Sequence, residues 1–386
     1  MRRNMRRNYD VAVIGAGVFG AWTAYHLRNV GQRVIILDAY GPANSRASSG
    51  GESRIIRMGY GADALYTRWS LRSLTLWRAF FQQTGHPLFH KTGVLWIARD
   101  EDPHTLNTLT TLTEVGLPHE KLSRSELDAR YPQIAFGPVA WGVFEPDSGV
   151  LMARRAGQAV VEEAIRAGAD YQPAAVATPS GKRRLASVTT QSGDPVSAGD
   201  FVFACGPWLP RVSPHVLWNR IFPTRQSMFF FGGPPGDGCF APPAMPAWID
   251  FGEQMSGIPD LEIRGFKVAP DRHGPVLDPD QDDRAVTKEE IVGVREFLAR
   301  RFPVLGNAPV IEARVCQYEN TSNGDFLIDR LPDLDNVWLI GGGSGHGFKH
   351  GPALGAYVTA RVTKGGAIEP RFGLATKETV QRRSVF

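Results

Sequence analysis

The chain has 386 residues, 42% of them hydrophobic, which is enough to bury a large core in two interlocked domains; Gly 42 and Pro 28, scattered throughout, suit many short strand–loop junctions better than disorder. The formal charge of +4 is carried by Arg2, Arg3, Arg6 and Arg7 of the N-terminal tail and the rest is balanced, so the basic pI gives little support for a nucleic-acid partner. Cys205, Cys239 and Cys316 are too few, and odd in number, for a disulfide framework, and no apolar run is long enough to span a bilayer, so a cytoplasmic protein with no membrane partner is expected.

The tail superficially resembles a signal peptide, but Asp10 interrupts the junction and the apolar stretch has a better use. Tyr9 to Ile14 reads as a buried parallel strand, Val18 to Val30 as a helix closed by Gly31, and Gln32 to Leu37 as a second strand ending at Asp38. A glycine- and serine-rich loop, Gly41 to Ser53, leads into a long amphipathic helix over Asp63 to Thr84. Val94 to Ala98 reads as a strand, residues 101 to 131 as helical and polar, and Met152 to Ala167 as a helix. Strands are expected at 184–191 and 196–204, and irregular strands around a pocket in the Pro-, Gly- and aromatic-rich stretch 221–280. Thr287 opens a helix with a capping box to Glu290. Val337 to Ile340 is a strand entering a run of glycines, Gly341 to Gly347, and a helix begins near Pro352.

Gly15-x-Gly17-x-x-Gly20 between strand and helix, with Asp38 ending the next strand, is a dinucleotide fingerprint. Gly15 permits the turn, Gly17 lets the pyrophosphate approach the helix N-terminus, Gly20 lets helix and strand close, and Asp38 can accept from ribose hydroxyls. The fingerprint alone does not separate FAD from NAD. An NAD site would continue with a helix and a third strand, whereas this chain offers a small polar loop followed by Arg54 and Arg57. The nine histidines are dispersed, and no metal site is expected.

Several segments carry a more specific signal: Gly51-Glu52-Ser53-Arg54-Ile55-Ile56-Arg57, Lys91-Thr92-Gly93-Val94-Leu95, Phe144 to Leu151, Ala204-Cys205-Gly206-Pro207-Trp208, Cys316 with Tyr318, and Ser344-Gly345-His346-Gly347-Phe348-Lys349. In these the chain resembles the monomeric sarcosine oxidase family, within the D-amino-acid-oxidase-like flavoproteins, from about Tyr9 to about Val362. The resemblance implies an α/β fold, α+β overall, with a Rossmann-type FAD domain from roughly 1–85, 150–220 and 320–386 and a discontinuous mixed-sheet substrate domain from roughly 86–149 and 221–319. It implies an FAD-dependent oxidase of a secondary amine or an N-substituted or cyclic amino acid, acting as a monomer and giving an imine and hydrogen peroxide from molecular oxygen. A dehydrogenase with another electron acceptor, or a flavin-binding protein without turnover, are the rival readings.

By the same resemblance FAD contacts fall on Gly15, Gly17, Gly20, Asp38, Ser45, Ser53, Arg54, Cys205, Gly206, Trp208, Gly343, Gly345, His346, Gly347, Phe348 and Lys349, and Cys316 is the cysteine linked covalently to the flavin; its bland alternative is a small buried core residue. Lys267 matches the lysine that activates oxygen, the alternative being a surface lysine on an edge strand. Arg54 would lie against the flavin, and Arg57 with Lys349 would clamp a substrate carboxylate. At Gly50 and Asp271 this chain departs from the family, which has histidines there, although His273 is close by; an active-site tyrosine of the family falls near Ser256. Gly50 in place of histidine suggests a larger or reshaped pocket and a substrate bulkier than sarcosine.

Overall fold

A computed structural model describes residues 9–382; the four tail arginines lie outside the described residues. Strand Tyr9–Ile14, fully buried from Val11 onward, pairs in parallel with Val34–Asp38 on one side and Pro195–Phe203 on the other. Leu334–Gly341 and the antiparallel Leu327–Leu331 extend this sheet at one edge and Asp170–Pro173 at the other. The central stretches Val11–Ile14 and Val34–Leu37 are apolar and buried because helices cover them: Val18–Asn29 packs between Ala153–Arg166 and Gly351–Lys364.

A second, eight-stranded mixed sheet runs in the order Val310–Thr321, Ile221–Phe231, Phe266–Pro270, Met255–Ile258, Ala247–Asp250, Val94–Ala98, Trp141–Glu145, Glu120–Ser123. A small three-stranded sheet, Arg54–Ile56, Gly149–Leu151 and Phe89–His90, lies apart from both. The architecture is mixed α/β.

Two sequence expectations need correction. Residues 101–131 are not helical throughout: helices Pro103–Val115 and Arg124–Arg130 flank an edge strand, Glu120–Ser123, in which only Leu122 is buried. A strand with one apolar residue carries no visible alternation, and its neighbour Trp141–Glu145 supplies the pairing that makes it. The stretch after 221 also opens regularly, with an eleven-residue strand, Ile221–Phe231, hydrogen-bonded along its length to Val310–Thr321.

The register assigns residues to the two faces of the large sheet. Phe229, Phe231, Phe266, Val268 and Trp248 pack with Val294, Phe297 and Leu298 of helix Lys288–Arg301, which begins with the capping box expected at Thr287 and Glu290. Met228, Phe230, Ala269 and Cys316 cluster on the other face. An ion pair pins the helix end to the sheet: Arg301 Nη2 meets Asp250 Oδ2 at 2.7 Å, with both side chains at most 5% exposed. Arg301 also donates to the carbonyls of Ala135 and Phe136. Removing one member strands a charge in the interior. Asp250→Ala is expected to lower unfolding free energy by roughly 3–5 kcal/mol, read from the urea midpoint.

Candidate active site

The fingerprint turn does what its glycines require. Gly15 has φ 105°, and a Cβ there would collide with the Ala204 carbonyl; a Cβ at Gly20 would strike the carbonyl of Gly15. At Gly17 a Cβ would meet nothing nearer than Ser49 Oγ at 3.5 Å, so this glycine opens space at the helix N-terminus instead of closing a contact. Asp38 fixes the turn, accepting from the backbone of Ala16 at 2.7 Å and of Tyr40 and Gly41 at 2.8 Å. Ser49 Oγ accepts from Val18 N at 3.0 Å.

From this turn a cleft of about 400 Å³ opens beside the sheet centred on Tyr9–Ile14. Gly15, Gly17 and Asp38 line one stretch; Cys205, Gly206 and Trp208 line a second; Gly343, Gly345, Gly347 and Phe348 line a third, with Arg54 and Tyr318 in its wall. Trp208 Nε1 donates to Asp280 at 2.8 Å. Segments distant in sequence thus converge on one elongated groove with a helix N-terminus at its glycine turn, a shape and polarity suited to a dinucleotide.

Glu319 adds a second sign of fit. It is buried in the cleft wall, Oε1 accepting from Gly343 N at 3.3 Å while Oε2 has no partner. Burial pushes its carboxyl up to about 8. A neutral acid with a spare polar atom suits the hydroxyl- and amide-rich surface of a flavin dinucleotide.

Beside the cleft, Arg54 Nη2 lies 3.2 Å from Cys316 Sγ and 2.9 Å from the Ser48 carbonyl. Lys267 Nζ, buried, donates to the Ser53 carbonyl at 2.9 Å. Burial, then the nearby Arg54 guanidinium, pushes this lysine down to about 7. Lys267, Arg54 and Cys316 therefore form one cluster; Lys267 is not a surface lysine.

Arg57 and Lys349 also come together. The Arg57 guanidinium lies 4.5 Å from the Tyr60 ring centroid and 4.7 Å from that of Trp96. Lys349 Nζ is 5.1 Å from the Tyr60 ring centroid and donates to the Tyr60 hydroxyl at 2.8 Å and to the His346 carbonyl at 3.0 Å. Both cations are buried, and among the described residues neither has an ion-pair partner. Burial and the charge of Arg57 push Lys349 well below the usual lysine range.

The loop carrying Arg57 is held by a residue the sequence reading passed over. Glu145, 2% exposed, accepts from Met58 N at 2.7 Å, Gly59 N at 3.0 Å, Trp96 Nε1 at 2.7 Å and Ser148 Oγ at 2.5 Å. Tyr60 was missed as well, and its hydroxyl also meets His350 Nε2 at 2.7 Å. The only sequence signal for either was membership of, or nearness to, a matched segment.

Not every predicted contact faces the cleft. Ser45 is exposed on the loop, Ser53 presents its carbonyl to Lys267, and neither side chain lines the groove. The His346 ring stacks on Phe326 with centroids 4.9 Å apart and bonds Tyr60 and the Gly324 carbonyl, so it braces the loop from behind. Gly50 does not enlarge the pocket: a Cβ there would run into the Asn44 carbonyl, and the Gly50 carbonyl accepts from Arg154. The absent side chain lets the loop fold back on itself, which removes the argument for a bulkier substrate from this position.

Comparison with known proteins identifies the family. Residues 10–361 match the model of the family described as FAD dependent oxidoreductase. The chain is 31% identical over 372 residues to a monomeric sarcosine oxidase of Streptomyces avermitilis, covering 95% of this chain and 96% of the relative. It is 28% identical to an N-methyl-L-tryptophan oxidase of Citrobacter koseri, covering 90% and 92%. Among solved structures, L-proline dehydrogenase from P. horikoshii superposes with a TM-score of 0.83 at 20% identity, over 96% of this chain and 98% of that one. With the fingerprint, the convergent cleft and these matches in hand, the chain belongs to the FAD-dependent oxidoreductase family.

Proposed function

We propose that this protein is an oxidase of a secondary amine or N-substituted amino acid, using FAD and molecular oxygen and releasing an imine and hydrogen peroxide. One observation carries the substrate class: Arg57 and Lys349 are buried on a shared tyrosine without a counter-ion. Such a pair is costly unless an anion completes it, and a substrate carboxylate is the anion that fits a planar guanidinium beside an ammonium. Trp96 and Tyr60 restrict the guanidinium, and Glu145 fixes the backbone on which it stands, so the clamp is set before the substrate arrives.

FAD held in the cleft would supply the electron-accepting chemistry that side chains lack. Gly15, Gly17 and the Val18 helix would receive its pyrophosphate, and Arg54, with the loop from Gly343 to Phe348, would face its ring system. We assign Cys316 as the point of covalent attachment; the support is its sulfur 3.2 Å from an arginine of the cleft wall. Lys267 would hold a positive charge where oxygen is reduced. We further take residues 1–85, 150–220 and 320–386 as the FAD domain and 86–149 and 221–319 as the substrate domain. A cytoplasmic monomer fits the three free cysteines and the relatives named monomeric.

The clamp is tested by comparing amino acids with their amides. Amides are expected to lose roughly 30-fold or more in kcat/KM, and Arg57→Ala to erase the difference; equal turnover of simple amines and amino acids would end the reading. For Cys316, acid precipitation of wild type is expected to leave flavin in the pellet, and Cys316→Ala to release it into the supernatant. Lys267→Met is expected to slow reoxidation by oxygen on the order of 100-fold while leaving anaerobic flavin reduction nearly unchanged. A lysine is charged below its pKa, so wild-type reoxidation should slow as pH rises through and above about 7, and the variant should be slow at every pH in stopped flow.

A further inference from the structure

The face of the large sheet opposite the helix carries more than Lys267 and Cys316. Lys267 pairs with Phe230, and Cys316 with Gln226, which places all four on one side. Two-residue alternation adds Ala269, then Asp271 just beyond the strand end, where its N–H donates to the Gln254 carbonyl at 2.8 Å. The same alternation adds Tyr318 two residues after Cys316. Tyr318 lines the cofactor cleft, and its hydroxyl donates to Asp271 Oδ1 at 2.9 Å.

Asp271 is half-buried, and among the described residues it has no ion-pair partner. The Lys349 ammonium is turned to the Tyr60 hydroxyl and the His346 carbonyl and forms no ion pair with Asp271, yet the charge of Asp271 still favours the protonated lysine. A carboxylate with a single phenol donor thus acts on Lys349, one member of the clamp, without forming an ion pair with it. A ligand carrying both charges would satisfy both ends.

We propose that Asp271 is the anchor for a cationic nitrogen of the substrate, so that the pocket reads a zwitterion: carboxylate on Arg57 and Lys349, ammonium on Asp271. The inference rests on the clamp reading above and narrows its substrate class to amino acids that bind as the ammonium form. Tyr318 is a positioning residue here, holding one carboxylate oxygen so that the other is directed by the remaining ligand.

The test uses two isosteres that differ in charge and cannot be oxidised at an N–H: trimethylglycine, and its carbon analogue 3,3-dimethylbutanoate. Binding to the holoenzyme is read from the flavin absorption band. Wild type is expected to prefer trimethylglycine by about fivefold or more, and Asp271→Asn to bring the ratio close to one by weakening only the zwitterion. Unchanged melting and flavin spectra show that the variant is folded. If wild type binds both alike, or the preference survives Asp271→Asn, the proposal is overturned. The clamp is judged separately: if Arg57→Ala leaves dimethylbutanoate affinity unchanged, that reading fails while the charge preference still reports on Asp271. The source of the nitrogen follows from substrates. If Asp271 holds the reacting amine, Asp271→Asn raises KM for N-methylglycine and N-methyl-lysine alike and moves the kcat profile to lower pH. If only the lysine derivative is affected, Asp271 holds a side-chain nitrogen and the zwitterion reading is overturned.

Discussion

The site depends on one buried carboxylate. Glu145, at the end of a strand in the large sheet, receives four hydrogen bonds, two of them from consecutive backbone amides just after Arg57. Those amides belong to the segment that leaves the small sheet, so a single side chain fixes the distance between the sheet and the arginine. Four donors around an anion in the interior offset its desolvation without a cation. That leaves Arg57 uncommitted to any protein carboxylate. The same arrangement keeps Trp96 under the guanidinium, since its indole is tied to Glu145 as well.

Charge in this region is organised by what is withheld. Arg54, Arg57, Lys267 and Lys349 come from three separate stretches of chain, yet their donors go mostly to carbonyls, a phenol and a thiol. Two of the nearby acids are occupied elsewhere, Glu145 by amides and Glu319 by a glycine amide and its own neutrality, while Asp271 meets only the Tyr318 hydroxyl. His350, beside Lys349 through Tyr60, is held neutral by burial and by the two adjacent cations. The result is a pocket with a standing demand for anionic ligands, which side chains of the protein do not quench.

What could be read from the sequence follows the range of each interaction. The glycine turn with Asp38 is local, set within one β–α–β unit, and the structure places its parts as the spacing requires. The capping box at Thr287 is local too. The strand Glu120–Ser123 was hidden because its pattern is supplied by a neighbour, and the long strand from Ile221 because prolines and aromatics disguise its alternation. Glu145, Tyr60 and Glu319 acquire their meaning only when distant segments close on them, so no spacing announces them. Gly50 shows the opposite error: a missing side chain was read as space, whereas backbone occupies that space.

The central strand Tyr9–Ile14 has a consequence for how the chain is made. Of its two partners, Val34–Asp38 emerges almost at once, but Pro195–Phe203 follows only after the intervening segments have been synthesised, and that strand in turn awaits Leu334–Gly341. The long strand Ile221–Phe231 likewise waits for Val310–Thr321. During translation the nascent N-terminal half therefore presents apolar strands with unpaired edges, and loop-closure entropy is met before the pairings that offset it. Completion of both sheets waits for strands made late in the chain, and until then the unpaired edges are the surfaces most open to aggregation.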